Sequence, residues 1–453
     1  MRAITSYLQR RGYDCVADDY YSRIRLWERW YQGYVRSFHD YWQYNGKKRV
    51  CRRRKSLGMA KAVSEDWVNL ALNEKVEIST DNDEATADLW SVLDANGFRV
   101  RANQPAELMF ALGTAAFVER MDGDQVKIDY IRAGLIYPLA WENGKITECA
   151  FASERKRGKR ITVYLNIHRL DGEEYVIENH VFTRNGETLT ETELPEDVEA
   201  EVRTGSAVPR FQILRPNIVN NVDLDSPMGV SAYANAIDQL EAVDLVYDSY
   251  CNEFRLGKKR ILVPMSMARI QMEDDGTVTP VFDDNDTEFY SIPELDGDKN
   301  RIEEFNASLR HEAHEAGFQT ALNALSIKVG MGKDRFAFKD GIAIKTATEV
   351  ISEKSDLYQA LCKHELLLKD ALTGLVRAVC DMTGHGGELE VNISFDDSII
   401  EDTGSQREVD RQDVRDNLLA PWEYRMRWMN EDEETAKARA AEAGGEPPLG
   451  FGE

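Results

Sequence analysis

The chain has 453 residues, 42% of them hydrophobic and 30% charged, so it can bury a large core and its length predicts about two to four domains. Its 80 acidic and 56 basic residues give a formal net charge of −24, which argues against a general binder of nucleic acids or anionic membranes. The six cysteines are scattered without a CxxC pair, and no apolar run approaches the ~18 residues of a membrane span, so we expect no disulfides, no zinc and no membrane insertion.

Residues 20–44 carry aromatic side chains at helical spacing, namely Trp27, Trp30, Tyr34, Phe38 and Tyr41. The pattern predicts a helix, and we interpret its aromatic face as packing into a core rather than stacking on bases. Residues 60–72 predict a second amphipathic helix, with an inner face formed by Val63, Trp67, Leu70 and Ala71.

A basic segment, residues 47–55, lies between these two helices. It holds seven positive charges in nine residues: Lys47, Lys48, Arg49, Arg52, Arg53, Arg54 and Lys55. Such a cluster is typical of a phosphate contact or a targeting signal, but a solvated loop that pairs with acidic residues of another subunit fits equally well. The residues alone leave this choice open.

Residues 76–215 change to short alternating runs that predict an antiparallel sheet. Asx-Gly turns separate the runs at Asp122-Gly123, Asn143-Gly144, Asp171-Gly172 and Asn185-Gly186. A second basic run, residues 155–160, is expected at a hairpin tip on an edge of this sheet.

The helical period returns after the turn at residues 225–229. It predicts a helix of about 25 residues that ends at Gly257, with Ile237, Leu240, Tyr247, Cys251 and Phe254 on one face. A short β-rich insert follows, and then a helix near residues 301–325 with a face formed by Ile302, Phe305, Leu309, Ala313 and Ala316. This order predicts an antiparallel helix pair that holds a small domain at its far end.

Residues 341–382 predict one very long helix. Apolar residues recur along it at spacings of three, four and seven: Val350, Leu357, Leu361, Leu368, Leu372, Leu375 and Val379. We expect part of this stripe to pack outside a single compact core, as in a strut of an assembly. After it, residues 388–402 read as a strand that could rejoin the sheet, and Pro421 should split two further helices.

Candidate catalytic and metal-binding patterns do not hold. His311 and His314 are three residues apart, which is the wrong spacing for an HExxH zinc helix. The run GMGK at residues 330–333 lacks the first glycine and the Ser/Thr of a phosphate loop, and residues 283–286 lack the glycine and glutamate of a calcium loop. We therefore predict no enzymatic activity and no cofactor.

Four segments in order carry a family resemblance: WERWYQG (27–33), SPMGVSAYANAIDQLEAVDLVYD (226–248), GKKRILVP (257–264) and FAFKDGIAIKTATEVISEKSDLYQ (336–359). Together they resemble the portal proteins of long-tailed bacteriophages, in the branch typified by phages of Gram-positive hosts. The last segment is the most specific, because its spacing joins a loop to a helix start. The resemblance implies an α+β portal fold with a β-rich wing, a two-helix stem, a small α/β clip, a long radial helix and a short helical crown.

This resemblance also implies a division of the chain. It places the wing at 1–225 with a returning strand at 388–402, the first stem helix at 226–257, the clip at 258–300, the second stem helix at 301–327, the channel loop at 328–344, the long wing helix at 345–385, the crown at 403–443 and a flexible tail at 444–453.

The function that the resemblance implies is a ring of about twelve subunits at one capsid vertex, through which double-stranded DNA is packaged and ejected. Expected partners are the DNA itself, bound without sequence specificity, the terminase large subunit, a head–tail adaptor, the major capsid protein and any scaffold. The expected location is the virion, after assembly in the host cytoplasm. Two other classes stay open, a scaffold or adaptor without a channel and a capsid-associated metal-dependent enzyme.

Three sets of residues are candidates for contacts in such a ring. Near the channel, weak phosphate contacts are expected from Lys328, Lys333, Lys339 and Lys345. In the clip, Phe282, Phe289 and Tyr290 are candidate contact residues, although an ordinary core role fits them equally well. The basic segment is the candidate for contact between subunits, because a strongly acidic ring needs its basic residues next to acidic neighbours.

Overall fold

The computed structural model of the chain describes residues 2–44, 47–72, 76–158, 160–186, 188–196, 198–264, 271–272, 278–279, 289–292, 302–337, 347–387, 389–395, 403–416, 418–429 and 431–443. The protein is 44% helical and 27% strand, which confirms the α+β class. Within the described residues, no helix is both long enough and apolar enough to cross a membrane.

The amino-terminal region consists of helices and one hairpin, in the order α1 Arg2–Arg10, α2 Asp18–Tyr31, α3 Arg36–His39, β1 Asp40–Tyr44, β2 Arg49–Arg53 and α4 Met59–Ala71. The single helix predicted over residues 20–44 is wrong, because the chain turns at Gly33, whose φ of +73° favours glycine. Trp27 and Trp30 are buried, as the core interpretation predicted. The inner face predicted for the second helix is confirmed, since all four of its residues are buried in α4.

Residues 77–112 are mostly helical, in the order β3 Glu77–Thr80, α5 Asp83–Ala95, α6 Phe98–Arg101 and α7 Asn103–Leu112. The prediction of a sheet from residue 76 onward is therefore wrong for this stretch. The reason is local, because the Asn82 side chain caps α5 by accepting hydrogen bonds from the backbone N–H groups of Glu84 and Ala85 at 2.9 and 3.2 Å.

The antiparallel sheet begins after these helices. Its strands are β4 Ala115–Asp122, β5 Gln125–Arg132, β6 Ile136–Glu142, β7 Lys145–Arg157, β8 Arg160–Asp171, β9 Glu174–Asn185, β10 Thr188–Thr192, β11 Glu201–Arg203 and β12 Phe211–Leu214. Each of the four predicted Asx-Gly turns connects the two strands of a hairpin. The basic run at 155–160 does form a hairpin tip, but it joins β7 and β8, which are interior strands and not the sheet edge.

These strands form two separate sheets. The larger has the order β10-β9-β8-β7-β6, with β11 also paired to β9, and the smaller has the order β12-β4-β5. Their inner faces join α2, α4, α5 and α7 in one hydrophobic core that includes Trp67, Phe110 and Phe117.

Two helices enclose the small β-rich insert. The elements are α8 Ile237–Leu256, β13 Arg260–Pro264, β14 Gln271–Met272, β15 Val278–Thr279, β16 Phe289–Ile292, β17 Glu303–Phe305 and α9 His311–Lys328. Strand β13 pairs in parallel with β16 and antiparallel with β17.

Helix α9 starts later than predicted, and it buries a different face. Residues 303–305 belong to a strand, so the predicted helix face is wrong: Ile302 and Phe305 are about half exposed. The residues that α9 buries are Phe318, Leu322 and Leu325. The spacing of apolar residues alone could not distinguish one long helix from a strand followed by a shorter helix, because apolar residues of the strand can fall in step with those of the helix.

The long helix is α10, Ala347–Met382, with 36 residues. Its predicted stripe is confirmed from Leu357 to Val379, where all six predicted residues are buried. These residues pack into the chain's own core, against β12, β4, α4 and α5. The expectation that part of the stripe packs elsewhere therefore fails for this portion, and Val350 lies in a part of the helix whose side chains are not described.

The remaining elements are β18 Val391–Ser394, α11 Thr403–Arg415, α12 Pro421–Met429 and α13 Glu433–Ala443. Strand β18 pairs with β3 in a separate two-stranded sheet and does not join the large one. Pro421 begins α12, a position where the absence of its N–H costs nothing.

Candidate functional site

The connector, residues 226–236, joins the sheet-rich body to α8 and is held against that body by backbone contacts. Tyr20 Oη donates to the Gly229 carbonyl at 2.7 Å, and the Gly229 N–H donates to Thr114 Oγ1 at 3.0 Å. One turn further, the Ala232 N–H donates to the Phe110 carbonyl at 2.8 Å. The start of α8 is thus attached to both α2 and α7.

Gly113 and Gly229 bring two backbones into direct contact within this junction. A Cβ atom at Gly229 would lie 2.2 Å from the Gly113 carbonyl oxygen and 2.8 Å from Arg215 Cβ. A Cβ atom at Gly113 would lie 2.2 Å from the Gly229 carbonyl oxygen, and Gly113 has a φ of +83°. Only glycine fits at either position, so the approach fixes where α8 leaves the body.

Two of the segments that carried the family resemblance meet here. Tyr233, from the segment 226–248, is fully buried, and its hydroxyl donates to the Trp27 carbonyl at 2.9 Å. Trp27 belongs to the segment 27–33. The two segments therefore form the two sides of one joint, although about 200 residues separate them.

A buried polar cluster attaches α8 to the body about two to three turns beyond the connector. His39 Nε2 lies 3.1 Å from Asp244 Oδ2, while Asp244 Oδ1 accepts the Leu57 N–H at 2.7 Å. Asp248 Oδ1 accepts the Lys55 N–H at 3.1 Å. Both aspartates are buried, so α8 is hydrogen-bonded to the stretch that follows the β1–β2 hairpin.

Helices α8 and α9 run antiparallel along each other. The rings of Tyr247 and Phe318 stack with 6.1 Å between centroids. Farther out, Arg310 makes a two-point ion pair with Glu253, with its Nε at 3.1 Å and its Nη2 at 2.7 Å. The Arg310 guanidinium lowers the pKa of Glu253. His314 Nε2 lies 3.5 Å from the same carboxylate, so this histidine belongs to the helix contact.

The far sides of this helix pair expose large apolar side chains: Leu245 (48%), Phe254 (42%), Leu256 (56%) and Ile327 (59%). Phe254 belongs to the apolar face that the spacing predicted for α8, and at its position near the end of the helix this face is partly exposed. Apolar side chains along two helices that extend from a well-packed body are typical of a surface that another chain covers.

The segment after α9 folds back onto α4. Ser326 Oγ donates to the Gly332 carbonyl at 2.7 Å, and Arg335 makes a two-point ion pair with Asp66 at 2.6 Å for both contacts. Lys328 and Lys333 are exposed on this segment. Lys339 and Lys345, the other two predicted phosphate contacts, lie outside the described residues.

The basic segment forms β2 and the residues that flank it on either side. Arg54 packs over the rings of Phe38 and Tyr41, with 4.9 and 4.6 Å to their centroids, and donates to the Phe38 carbonyl. A cavity of about 360 Å³ lies beside it, lined by Gly33, Arg53, Arg54, Lys55, Ser56 and Tyr247. This places the segment beside the base of α8, which the sequence did not reveal.

Two of the three predicted clip contacts lie on a described strand. Phe289 and Tyr290 lie on β16, which pairs with β13. Phe282 lies outside the described residues. In the described part of the chain, no group of three or more His, Cys, Asp or Glu side chains is placed to hold a metal ion.

Glu119 is a fully buried carboxyl group on β4. Burial raises its pKa to about 8, against the opposing attraction of the nearby Arg210 guanidinium. The folded state therefore keeps Glu119 protonated at a pH where the unfolded chain, with an ordinary carboxyl pKa near 4.5, has ionised it. As a result, this residue reduces stability progressively as the pH rises from about 4.5 to about 8.

We expect Glu119→Gln to raise the free energy of unfolding by roughly 3 kcal/mol at pH 7 and by almost nothing at pH 4.5. Denaturant unfolding followed by tryptophan fluorescence at the two pH values measures this difference. Glu142→Gln, at an exposed position, is the control and should change stability little at either pH. A Glu119→Gln effect of equal size at both pH values would contradict the assignment.

Residues 16–443 match the model of the family described as "Phage portal protein, SPP1 Gp6-like". Two solved structures are similar. One is a chain of the "Neck of empty GTA particle computed with C6 symmetry", with 10% identity and a TM-score of 0.41 over 79% of this chain and 85% of that chain. The other is a chain of the "Virion of native gene transfer agent (GTA) particle", with 11% identity and a TM-score of 0.42 over 91% of this chain and 94% of that chain. No curated protein matches the sequence.

Proposed function

The chain belongs to the SPP1 Gp6-like family of phage portal proteins, and from this membership we propose that its copies form a ring at one capsid vertex through which double-stranded DNA is packaged and ejected. The role is structural, as in the rest of the family. The protein works in the virion, at the junction between head and neck, after assembly in the host cytoplasm.

The observation that best supports this proposal is the α8–α9 pair. Two antiparallel helices leave the body at a rigid joint, enclose a small β-rich insert at their far end and expose apolar side chains on their outer sides. In a ring, neighbouring pairs would cover these side chains and form a continuous wall around a central channel. Burying such a surface against copies of the chain supplies a driving force for closure.

We propose a division of the chain according to the portal plan. We assign residues 1–225 with the returning strand to the wing, α8 and α9 to the stem, the insert between them to the clip, and α11 to α13 to the crown. The clip would face the terminase large subunit and the head–tail adaptor. The crown and wing would face the capsid interior, the major capsid protein and any scaffold.

Electron microscopy of the purified protein in negative stain tests the function directly. We expect closed rings of about twelve subunits with a stain-filled central hole. Compact particles without a hole would instead support the scaffold or adaptor alternative. A monomer at every concentration, together with its absence from purified virions, would contradict the portal assignment.

Lys328, Lys333, Lys339 and Lys345 are proposed to lie near the channel as weak phosphate contacts. We expect the quadruple alanine variant to assemble normally but to package or retain DNA less well, because a sparse row of cations lowers the electrostatic barrier inside an acidic ring. The measurement is the DNA content of purified heads. Unchanged DNA content in heads that carry the variant ring would rule these lysines out.

A further inference from the structure

The β1–β2 hairpin has one face that the described chain leaves open to solvent. In its register, Trp42 pairs with Cys51 and Tyr44 with Arg49, and directly paired residues point to the same face of a sheet. Trp42 is 69% exposed and Tyr44 is 65% exposed, and Cys51 and Arg49 are exposed beside them. A two-stranded ribbon is only marginally stable on its own, so an aromatic face like this one gains from being covered.

Four cations of the hairpin region have no acidic partner among the residues that the structure describes. Arg49, Arg52, Arg53 and Lys55 form no ion pair with a carboxylate among the residues that the structure describes. Arg53 instead lies 4.2 Å from the centroid of the Tyr34 ring. This is notable in a protein with 80 acidic residues, because internal partners for four cations would be easy to supply.

The acidic loop, residues 193–200 between β10 and β11, has the opposite character. Glu193, Glu196 and Glu199 are exposed and form no ion pair within the described parts of the chain. Pro195 is also exposed, and Val198 is 36% exposed. The loop therefore combines unpaired carboxylates with apolar side chains, as a complement to the hairpin's arginines and aromatic rings.

The hairpin and the acidic loop are attached to different elements of the chain. The loop side of the large sheet packs on α1, where the rings of Tyr7 and Phe182 are 4.8 Å apart. The hairpin instead follows the carboxyl end of α2, where the rings of Trp30 and Phe38 are 5.5 Å apart. Among the described residues, no ion pair joins the hairpin to the acidic loop. Their complementary charges are therefore available for a contact between molecules.

We propose that the open face of the β1–β2 hairpin binds the acidic loop of a neighbouring copy of this chain, in a head-to-tail contact that repeats around the assembly. Such a heterologous contact generates a ring when its rotation closes. Trp, Tyr and Arg are the residues that carry most of the binding energy at protein interfaces. The inference rests on the proposed ring, and it names which surfaces meet in it.

A nucleic-acid partner fits the observations less well. A chain with a net charge of −24 repels phosphate at long range, whereas every copy of the chain carries a complementary acidic loop.

Charge reversal tests the contact. The hairpin variant is Arg49→Glu with Arg53→Glu, and the loop variant is Glu193→Arg with Glu196→Arg, each in the full-length chain. Light scattering after size-exclusion chromatography should show that either variant alone needs at least about tenfold more protein to assemble, because each brings like charges together. An equimolar mixture of the two should assemble like the wild type, since every contact then joins opposite charges again.

A matched control reverses two arginines elsewhere. Arg155→Glu with Arg157→Glu changes the net charge by the same amount at the exposed β7–β8 tip, and it should assemble normally. Cross-linking gives a second readout: a bis-maleimide should join the native Cys51 to a cysteine introduced by Val198→Cys on the next subunit. The same variant with Cys51→Ser should give no such product.

The outcomes separate this inference from the proposed function. If the wild type forms rings and the hairpin variant alone forms them equally well, the inference is wrong and the portal assignment stands. The same holds if the mixture fails to restore assembly, or if the hairpin variant assembles normally but loses binding to a duplex DNA oligonucleotide. If the wild type forms no closed assembly, the proposed function fails and this inference fails with it.

Discussion

Replacing Gly229 by alanine is expected to lower the free energy of unfolding by at least about 4 kcal/mol. This is the largest stability effect that we predict for a single substitution. The added Cβ would lie 2.2 Å from the Gly113 carbonyl oxygen and 2.8 Å from Arg215 Cβ. Neither obstacle is the free end of a side chain, so the backbone of the connector has to move. That movement also disturbs the hydrogen bonds from Tyr20 to Gly229 and from Gly229 to Thr114.

The measurement is the denaturant midpoint of the purified subunit, together with its ability to form rings. Gly317→Ala is the matched control, because Gly317 lies inside α9 and a Cβ there meets no atom within 4 Å. This control should stabilise the protein by about 0.5 to 1 kcal/mol, the ordinary gain from replacing a helical glycine. A Gly229→Ala protein as stable as the wild type would show that the two backbones are not in contact.

Asp244→Ala is expected to cost on the order of 3 to 4 kcal/mol. The substitution leaves two buried groups without their acceptor, His39 on one side and the Leu57 N–H on the other. An unsatisfied buried polar group costs about 1–3 kcal/mol, and the lost packing adds to this. The base of α8 would then be attached to the body mainly through Asp248 and the connector.

Hydrogen exchange makes this second prediction specific. The backbone amide of Leu57 should exchange much faster in Asp244→Ala. The exchange rate of the Lys55 amide, which donates its hydrogen bond to Asp248, should change less. Asp238→Ala is the control on the same helix, since Asp238 is exposed in the first turn and should contribute only about 0.3–1 kcal/mol through the helix dipole. Equal losses of stability for the two alanine variants would contradict the role of the buried cluster.

The features that the sequence predicted correctly depend on neighbours along the chain. Each Asx-Gly pair specifies its own tight turn, so the four hairpins followed from two residues apiece. The buried stripe of α10 followed from its own periodicity. The Asn82 cap of α5 was also a local signal, but α5 was not predicted because the alternating pattern of the later strands was extended back to residue 76.

The features that the sequence could not predict depend on residues far apart. His39 and Asp244 are separated by 205 positions, and the Gly113–Gly229 contact by more than a hundred. Neither glycine differs in sequence from one in an ordinary turn, and neither polar residue belongs to a recognisable motif. The family resemblance identified the segments 27–33 and 226–248, but only the fold shows that they form two sides of one joint.

The tight seating of the connector has a mechanical consequence. Helix α8 has 20 residues, so at ~1.5 Å per residue it is a lever about 30 Å long, and a tilt of roughly 5° at its base would move its outer end by about 2.6 Å. Because two backbones are in contact at the base of α8, bending is opposed there, and a force applied to the outer end of the helix is transmitted to the sheet. A force on the insert would therefore reach the opposite side of the subunit as a rotation of the whole body.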